Sequence, residues 1–507
     1  MACLRQGVAG RPPLSPHSTL RSCRQLISAH AIHEPRCPML PFESFSYPFF
    51  DLNFSADHAA VVSAFLSTPD TATTGLTALY VHIPFCDTIC SFCPFVKSVG
   101  TAERIGVYLD ALHVELRTVG AMRRIQGWEL DAVYIGGGTP SVLSEDQIGA
   151  LIGAIRSNFA LKVDAEISFE FEAKSMDDSK FATLAGLGVT RVSFGVQSFD
   201  PSTRDMVRVT ASLDQVHASI AGATKHFKNT NLDMMVGFPG QDVEAALLDA
   251  RLAGTSGIGS VSIYPVDYVM TLPAWQDRIR TGDLPRPAVL DERSRMFHSA
   301  RQELMRHMSE QNMYCFGAAS APPTRYMFAT LYGGYRDECV GVGAGAYSFI
   351  RGLAFYNEAD ERAYVARAAT GVQPIARSSP GHAYEKGLVF FPKRLTFDMR
   401  DLEELSLAGV YADRIAKVVD NGLAEITGET LRLTEPGKLV YSELMAHFFS
   451  DSQRRLYDRM VARLSQQVGV IDAQEWVAGE DRVRGMGAFN ALPGASTRRL
   501  ALAPTSN

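Results

Sequence analysis

The chain has 507 residues, of which 49 are Lys or Arg and 55 are Asp or Glu, so its formal charge is −6. Its 46% hydrophobic and 21% charged residues are ordinary for a globular protein, and the length suits one large catalytic domain with smaller attached units. No apolar run reaches the roughly 18 residues of a membrane-spanning helix, and the acidic balance offers no basic surface to nucleic acid or anionic lipid. Composition thus excludes disordered, collagen-like and membrane-spanning classes, and we expect a cytoplasmic protein with no nucleic-acid and no membrane partner.

Residues 1–44 differ in composition from the rest of the chain and are predicted to form a disordered extension. The first 40 residues contain five arginines and a single acidic residue, Glu34, together with several Ser and Pro. An organellar transit peptide has the same arginine-rich, acid-poor composition. We favour a disordered extension because the helical periodicity is poor and Pro12 and Pro13 would break a helix.

Residues 45–265 are predicted to form parallel β/α units. Short apolar runs alternate with segments of helical spacing, and six such runs are fewer than the eight strands of a closed barrel. We therefore expect an α/β fold, a partial (β/α)6 TIM-like barrel with a wide mouth. Cysteine, glycine and polar residues stand at the ends of these strands. Ligands of α/β proteins bind at the carboxyl ends of the strands, so these residues indicate one shared site. The predicted strands are Leu79–Pro84, Asp131–Gly136, Ala165–Phe171, Thr190–Val196, Asn231–Val236 and Gly259–Tyr264.

Residues 266–380 are predicted to form an accessory region, because the strand–helix alternation stops near Pro265. A long helix is expected at Arg286–Asn312, and it precedes a glycine-rich run at 340–346. A run of this kind suits either a ligand contact or a tight turn between strands. We expect the accessory region to contribute to the substrate side of the site.

Residues 381–450 are predicted to form a winged-helix-like C-terminal module. The turn at Asn421-Gly422 and a short strand at Leu431–Leu433 indicate a hairpin after a helix. Because this segment is not strongly basic, we interpret it as a structural cap and not as a DNA-binding unit. Residues 451–507 are expected to hold a helix at Gln453–Gln467 and a disordered tail.

Three of the eight cysteines, Cys86, Cys90 and Cys93, lie close together after the first predicted strand. Clustered thiols in a long chain are typical of metal ligands in a reducing compartment, and thiolates select zinc or iron–sulfur clusters. A structural zinc site needs a fourth Cys or His nearby, whereas His82 belongs to the strand. The spacing therefore favours a 4Fe–4S cluster with one iron open to an external ligand. A zinc knuckle or three unrelated thiols is the alternative.

This Cys-x3-Cys-x2-Cys loop resembles the hallmark of the radical S-adenosylmethionine superfamily. The resemblance is strongest to the branch typified by oxygen-independent coproporphyrinogen III oxidase, and it covers residues from about 45 to 445. Four segments occur in the order found in that branch: the His82–Cys86 opening, the Gly136–Ser141 run, the Gly195–Phe199 strand end and the Asn231–Gln241 run. It implies that Cys86, Cys90 and Cys93 are the catalytic metal ligands of a 4Fe–4S cluster.

The resemblance also implies contacts to S-adenosylmethionine. Gly136, Gly137 and Gly138 would lie against its methionyl part, since residues without a Cβ let the backbone approach a ligand. Glu170 would accept hydrogen bonds from ribose hydroxyls or the amino group, and Arg208 would pair with the carboxylate. For each polar residue taken singly, a surface or ion-pair role is the alternative. The remaining implied contacts are Tyr80, Phe92, Thr139, Gln197 and Asp233, with Gly343 and Ala344 at a second S-adenosylmethionine.

The implied reaction begins when one electron from the cluster cleaves S-adenosylmethionine to methionine and a 5′-deoxyadenosyl radical, which takes a hydrogen atom. An electron donor such as flavodoxin or ferredoxin is implied as a partner. With two S-adenosylmethionines, the favoured outcome is transfer of a methyl or methylene group to an unsaturated carbon of a small-molecule substrate, by C-methylation or cyclopropanation. The alternatives are oxidative decarboxylation of coproporphyrinogen III and a haem carrier or chaperone.

Departures from the branch favour methyl or methylene transfer over decarboxylation. Coproporphyrinogen dehydrogenases typically carry another cysteine two residues after the third ligand, where this chain has Phe95. Ala173 replaces the proline that is usual after the Glu170 strand. Phe45–Pro48, by contrast, resembles the N-terminal stretch of the dehydrogenases and favours decarboxylation.

Overall fold

A computed structural model of the protein describes residues 57–69, 74–93, 95–266, 273–330, 332–378 and 385–451. The predictions for residues 1–44, for Phe45–Pro48 and for the helix at Gln453–Gln467 fall outside these residues. None of the described helices is both long and apolar enough to cross a membrane.

Each of the six predicted strands is present, and the boundaries agree with the apolar runs to within two residues except that β5 begins at Ala160, five residues before its predicted start. The strands are β1 (Thr77–Ile83), β2 (Phe85–Cys86), β3 (Ser98–Val99), β4 (Glu129–Gly137), β5 (Ala160–Phe171), β6 (Arg191–Gln197), β7 (Asn229–Val236), β8 (Ser260–Pro265), β9 (Ser309–Glu310), β10 (Cys315–Gly317), β11 (Glu338–Val342), β12 (Tyr347–Ile350), β13 (Leu353–Asn357), β14 (Ile375–Ser378), β15 (Thr396–Asp398), β16 (Ala424–Thr427) and β17 (Thr430–Leu433).

The helices alternate with the first six long strands and then become irregularly spaced. The helices are α1 (Asp57–Ser67), α2 (Ala102–Gly120), α3 (Arg123–Gln126), α4 (Glu145–Asn158), α5 (Asp178–Gly186), α6 (Pro201–Met206), α7 (Leu213–His226), α8 (Val243–Gly254), α9 (Pro273–Thr281), α10 (Leu290–Leu304), α11 (Arg325–Ala329), α12 (Glu361–Ala368), α13 (Lys386–Arg394), α14 (Arg400–Glu404), α15 (Ala408–Asp420), α16 (Glu435–Lys438) and α17 (Tyr441–His447).

Parallel pairing of β1, β4, β5, β6, β7 and β8, in that order, forms the predicted partial barrel. Local sequence signals start the helices between these strands. Ser144 and Gln147 form a capping box at the start of α4, and Ser212 and Gln215 form another at the start of α7. The apolar faces of α2, α4 and α7 pack onto the sheet, which is therefore covered on its outer side.

The strands of the accessory region extend the same sheet at both edges, to 12 strands in all. At one edge β11 pairs in parallel with β1 and is followed by antiparallel β12, β13 and β14. At the other edge β10 and β9 continue antiparallel beyond β8. As a result β1, which leads into the cysteine loop, lies between β4 and β11.

The long helix predicted over Arg286–Asn312 was wrong in its length. The helix α10 covers Leu290–Leu304, and Ser309–Glu310 instead pairs with β10 as an edge hairpin. In the C-terminal part, α15 precedes the predicted hairpin of β16 and β17, with Gly428 at its turn in a left-handed conformation (φ 61°). A third strand, β15, pairs with β17 and was not predicted.

Candidate active site

The three cysteines of the motif lie on the loop after β1, at the carboxyl end of the parallel sheet. Cys86 ends β2, and β2 pairs with β3, so the chain returns past Cys86 after Cys90 and Cys93. Cys86 is buried, Cys90 and Cys93 are half-buried, and all three are free thiols. We call residues 84–99 the cysteine loop. It carries three unpaired thiols at the end of the barrel where the sequence predicts the site.

The sulfur atoms have few polar neighbours. Thr139 Oγ1 donates to Cys86 Sγ at 3.4 Å, and Cys90 Sγ lies 3.8 Å from the Arg208 carbonyl oxygen. Burial raises the pKa of Cys86 to about 11 and that of Cys90 to about 12, and the neighbouring Cys93 acts in the same direction. The two thiols are therefore protonated at neutral pH, and a metal that binds them must displace their protons.

The donor set fits an iron–sulfur cluster. Thiolates are the protein ligands such clusters take, one on each iron. In the part of the chain that the structure describes, no group of three or more His, Cys, Asp or Glu side chains is arranged to hold a single metal ion. A cluster spreads its ligands over several irons, so three free thiols on one short loop meet its requirement. Three thiols also leave the fourth iron of a 4Fe–4S cluster without a ligand from this loop.

His82 joins the start of the cysteine loop to its end. Its Nε2 lies 2.8 Å from the Val96 carbonyl oxygen, which can only accept, so Nε2 carries the proton. Its Nδ1 accepts a hydrogen bond from the Tyr80 hydroxyl at 2.8 Å. Burial lowers the pKa of His82 to about 4, so the ring is neutral at pH 7. Both ring nitrogens are engaged, which agrees with the expectation that His82 belongs to the strand.

The glycine run at the end of β4 packs directly against the start of the cysteine loop and the end of β1. Gly137 has a φ of 117°, which favours glycine, and a Cβ there would lie 2.6 Å from the His82 ring. The Gly138 N–H donates to the Ile83 carbonyl oxygen at 2.8 Å. Gly136 is buried, whereas Gly137 and Gly138 remain half-buried. The run therefore braces the loop and still presents backbone to the mouth of the barrel.

Glu170, near the end of β5, holds the glycine run from the neighbouring strand. Its Oε2 accepts the Gly137 N–H at 2.9 Å, and its Oε1 accepts the Tyr134 hydroxyl. A Cβ on Gly136 would lie 2.5 Å from Oε2, so glycine is required there for the carboxylate to approach. Burial raises the pKa of Glu170 to about 7, and the charge of Asp233 adds to the effect. The side chain stays half-buried and faces the mouth.

Asp233 on β7 provides a second carboxylate on the same interior wall. Its Oδ2 accepts from the Ser193 hydroxyl and its Oδ1 from the Asn231 amide, both at 3.0 Å. Burial raises its pKa, and the Arg191 guanidinium opposes that shift. Asp233 lies near Glu170, and the raised pKa of both carboxyls means that burial favours their neutral forms. A cationic ligand placed beside them would favour the ionised forms.

Gln197 and Arg208 both have left-handed backbone conformations, with φ of 68° and 62°. Gln197 lies at an irregularity in the pairing of β6 with β7, and its amide folds back over Gly195. Bulges and positive φ in residues other than glycine concentrate at functional sites, where they redirect a side chain. Gln197, at the end of β6, and Arg208, after α6, therefore have the strained backbone that is expected of ligand-binding positions.

The Arg208 side chain is exposed beside a cavity of about 500 Å³ that Thr88 and Thr210 also line. Within the described residues its guanidinium makes no hydrogen bond or ion pair. A guanidinium has five N–H donors and binds carboxylates through two of them. An unengaged guanidinium next to the cysteine loop fits the carboxylate of an amino-acid-like ligand.

Lys174 is a feature of the site that the sequence analysis missed. Its Nζ lies 2.9 Å from Thr210 Oγ1, 3.4 Å from Thr88 Oγ1 and 3.3 Å from Glu172 Oε1. It joins the cysteine loop, the end of β5 and the segment after Arg208. Its place four residues after Glu170, directly beyond the strand end, is a signal that could have identified it.

Phe92, between Cys90 and Cys93, packs into an apolar cluster on one side of the loop. Its ring contacts Phe238 edge to face, with centroids 5.8 Å apart, and the cluster includes Val207 and Trp275. The Ser91 N–H donates to the Val207 carbonyl oxygen at 3.1 Å, which fixes the loop against this cluster. Phe92 therefore shields the cysteines from water on this side.

Gly343 and Ala344, predicted at a second S-adenosylmethionine, lie behind the cysteine loop, at the end of β11. Both are buried, and their N–H groups are engaged by protein: Gly343 donates to Glu115 at 2.7 Å and Ala344 to the Tyr108 hydroxyl at 2.9 Å. The structure places this turn against the loop and apart from the half-exposed mouth.

Two aromatic residues of the interior were also missed. Tyr134 lies two residues before Gly136 on β4 and stacks on Tyr326 with centroids 4.1 Å apart, and Tyr80 contacts both rings. The alternation of β4 could have placed Tyr134 on the interior face. Tyr326 comes from α11, and no local signal connects it with the site.

Comparisons with known proteins identify the family and the fold. Residues 80–253 match the family described as the radical SAM superfamily. The chain is 30% identical over 378 residues to the heme chaperone HemW of Mycobacterium tuberculosis, covering 71% of this chain and 92% of that protein. It is 32% identical over 212 residues to oxygen-independent coproporphyrinogen III oxidase of Escherichia coli, covering 41% and 46%. The solved structure of the Escherichia coli coproporphyrinogen III oxidase HemN has the same fold, with a TM-score of 0.67 and 23% identity over 80% of this chain and 96% of that chain.

Proposed function

The chain belongs to the radical S-adenosylmethionine superfamily, in the branch of oxygen-independent coproporphyrinogen III oxidase, and from this we propose that it reductively cleaves S-adenosylmethionine while handling a haem-type tetrapyrrole. The observation that carries the first part is local. Three free thiols on one loop lie beside a guanidinium that has no hydrogen-bond or ion-pair partner within the described residues.

A 4Fe–4S cluster held by Cys86, Cys90 and Cys93 would supply one electron to cleave bound S-adenosylmethionine to methionine and a 5′-deoxyadenosyl radical. The protein groups bind and orient. Arg208 would take the carboxylate of the ligand, and Glu170 would accept hydrogen bonds from its amino group or ribose.

The apolar cluster around Phe92 and the packed glycine run would keep water from the cysteines on two sides. A ligand that carries positive charge beside Glu170 and Asp233 would favour their ionised forms. An electron donor such as flavodoxin or ferredoxin is part of the proposal, since the cleavage consumes an electron.

The haem part of the proposal is supported by the end-to-end match. The relative that this chain covers over 92% of its length is a heme chaperone, whereas the match to the oxidase covers 46% of that protein. Phe95 stands where the dehydrogenases typically carry a cysteine, and its side chain is exposed. Both observations favour a haem chaperone over an oxidase.

The test is anaerobic reconstitution with iron and sulfide, followed by S-adenosylmethionine and dithionite, with mass spectrometry of the nucleosides. We expect 5′-deoxyadenosine in the presence of reductant and none without it. A parallel anaerobic titration with haem is expected to give a haem-dependent absorption band at one equivalent. Reconstituted protein that binds haem but yields no 5′-deoxyadenosine would refute the proposed cleavage of S-adenosylmethionine. Protein that yields 5′-deoxyadenosine but binds no haem would refute the proposed haem function.

Oxidation of coproporphyrinogen III is a second candidate, favoured by the 32% identity within the barrel. It predicts carbon dioxide and 5′-deoxyadenosine from coproporphyrinogen III. Methyl or methylene transfer, the main expectation from the sequence, is not backed by the relatives named above. It would require S-adenosylhomocysteine to appear together with 5′-deoxyadenosine, and that product would also be the evidence for a second S-adenosylmethionine.

A further inference from the structure

Glu115 is a buried carboxylate that no proposed step uses. It lies on α2, is 3% exposed, and accepts three hydrogen bonds. The donors are the Gly343 N–H at 2.7 Å, the Tyr364 hydroxyl at 2.6 Å and the Asn357 amide at 2.7 Å. All three donors belong to the accessory region. Glu115, on the barrel helix α2, therefore connects the barrel with that region by accepting their hydrogen bonds.

The turn at residues 343–345 is fixed by this network. The Asn357 amide also donates to the Gly343 carbonyl oxygen at 3.0 Å, so one side chain holds both the turn and Glu115. The Ala344 N–H donates to the Tyr108 hydroxyl, which in turn donates to the His82 carbonyl oxygen at 2.7 Å. The network thereby reaches β1, the strand that leads into the cysteine loop.

The turn also touches both ends of the cysteine loop. A Cβ on Gly343 would lie 2.5 Å from the His82 carbonyl oxygen, and one on Gly345 would lie 2.7 Å from Val96 Cγ2. His82 precedes Cys86 and Val96 follows Cys93, and the His82 Nε2–H bonds to the Val96 carbonyl oxygen. Since His82 and Val96 flank the three cysteines, a shift of the turn would change the path of the loop.

We propose that Glu115 is a positioning residue for the cysteine loop, acting through the 343–345 turn on His82 and Val96 so that the three thiols bind a cluster in one geometry. The inference rests on the proposed function, because it concerns the cluster that function requires. A well-packed apolar side chain would fill this space at lower cost than a buried carboxylate, whose pKa burial raises to about 7. Fully satisfied buried networks, in contrast, specify one arrangement of the groups they join.

The variant that tests the proposal is Glu115→Gln. It keeps the size of the side chain but replaces an acceptor oxygen with an N–H₂ group that faces donors. Tyr364→Phe removes one of the three donors and leaves the carboxylate. The matched control is Asp131→Asn, a buried carboxylate at the amino end of the sheet that accepts the Thr77 N–H at 2.9 Å, far along β1 from the cysteines.

The reconstituted full-length proteins are compared by electron paramagnetic resonance of the reduced cluster, with and without S-adenosylmethionine, alongside thermal unfolding. We expect Glu115→Gln to alter the spectrum of the reduced cluster, to lose the spectral change caused by S-adenosylmethionine and to form 5′-deoxyadenosine at least tenfold more slowly. Tyr364→Phe is expected to fall between it and the wild type. Asp131→Asn is expected to keep the wild-type spectra at a lowered Tm.

Wild-type spectra from Glu115→Gln would overturn the proposal, and so would equal spectral changes from Asp131→Asn. If Glu115→Gln does not fold, the spectra of Tyr364→Phe test the proposal instead, and wild-type spectra from that variant would overturn it. A wild-type protein that forms no cluster would instead refute the proposed function, so the two failures are distinguishable.

Discussion

Two glycine turns approach the cysteine loop from the two strands that flank β1, and they differ in what they leave for a ligand. In the run Gly136–Gly138 at the end of β4, Gly137 and Gly138 are half-buried, and the half-buried Glu170 accepts the Gly137 N–H. The turn 343–345 after β11 is wholly buried, and the N–H groups of all three residues donate to protein acceptors. We call the first the front turn and the second the rear turn.

The comparison shows that glycine after a strand is a packing signal in both places. In each turn an added Cβ would lie within 3 Å of the cysteine loop or of β1. The front turn is the more exposed of the two. We therefore expect the ligand beside the front turn and a supporting role for the rear turn.

The largest expected effect comes from removing a thiol at the front. Cys90→Ala should abolish the brown absorption near about 400 nm that is typical of such clusters and should abolish 5′-deoxyadenosine formation, since two thiols cannot hold three irons. Iron and sulfide analysis of anaerobically purified protein checks it. Cys339→Ala, which removes a buried thiol outside the loop, should retain the cluster. A Cys90→Ala protein that still forms 5′-deoxyadenosine would show that the ligand assignment is wrong.

Glu170→Gln should give the next largest effect, because this carboxylate accepts the Gly137 N–H and, in the proposed function, hydrogen bonds from the ligand. Hydrogen bonds to a charged group contribute about 1.5–3 kcal/mol, so binding of S-adenosylmethionine should weaken by about 10- to 100-fold. Equilibrium binding to the reconstituted protein measures it. Glu166→Gln, on the same strand but bonded to Thr324 and to the Arg325 backbone N–H, is the control and should bind like the wild type.

A smaller effect is expected for Arg208→Lys. Lysine keeps the positive charge but loses the paired N–H donors, so the affinity for S-adenosylmethionine should fall by about fivefold, or about 1 kcal/mol. Asp205→Asn changes another residue of the same cavity and should leave the affinity unchanged. Equal losses for the two variants would mean that the cavity and not the guanidinium determines the affinity.

The sequence was sufficient for the parallel part of the fold. The six strands were found because each is a short apolar run, and helices such as Leu213–His226 were found because periodicity and a capping box coincide. The thiols, Glu170 and Arg208 were located through a motif and a resemblance, and their residue-level roles stay predictions. The strands after Pro265 depend on pairing with distant strands, as β11 does with β1, and no local pattern reports that pairing.

The sequence assigns the rear turn to a second S-adenosylmethionine, and that assignment stays a prediction. The glycine-rich sequence of this turn matches a family segment, but the hydrogen-bond partners Glu115 and Tyr108 come from α2, which is remote in sequence. Tyr326 illustrates the same limit at the barrel interior. Residues whose role is set by tertiary contacts alone carry no signal in one sequence.

The remaining expected effect concerns the stability of the rear turn instead of ligand binding, and it depends on pH. The pKa of Glu115 is about 7 in the folded protein, above its usual 4.5, so the folded state binds the proton more tightly than the unfolded state does. Stability from this group is therefore fully present below pH 4.5 and is lost as pH rises to 7, by up to about 3 kcal/mol. Glu115→Gln does not titrate, so the difference in Tm between wild type and variant should shift in favour of the variant over this range and stay constant above it. Parallel unfolding scans from pH 4.5 to 8 measure this difference. If the difference in Tm does not change with pH, Glu115 is ionised throughout this range and the charged form alone holds the rear turn.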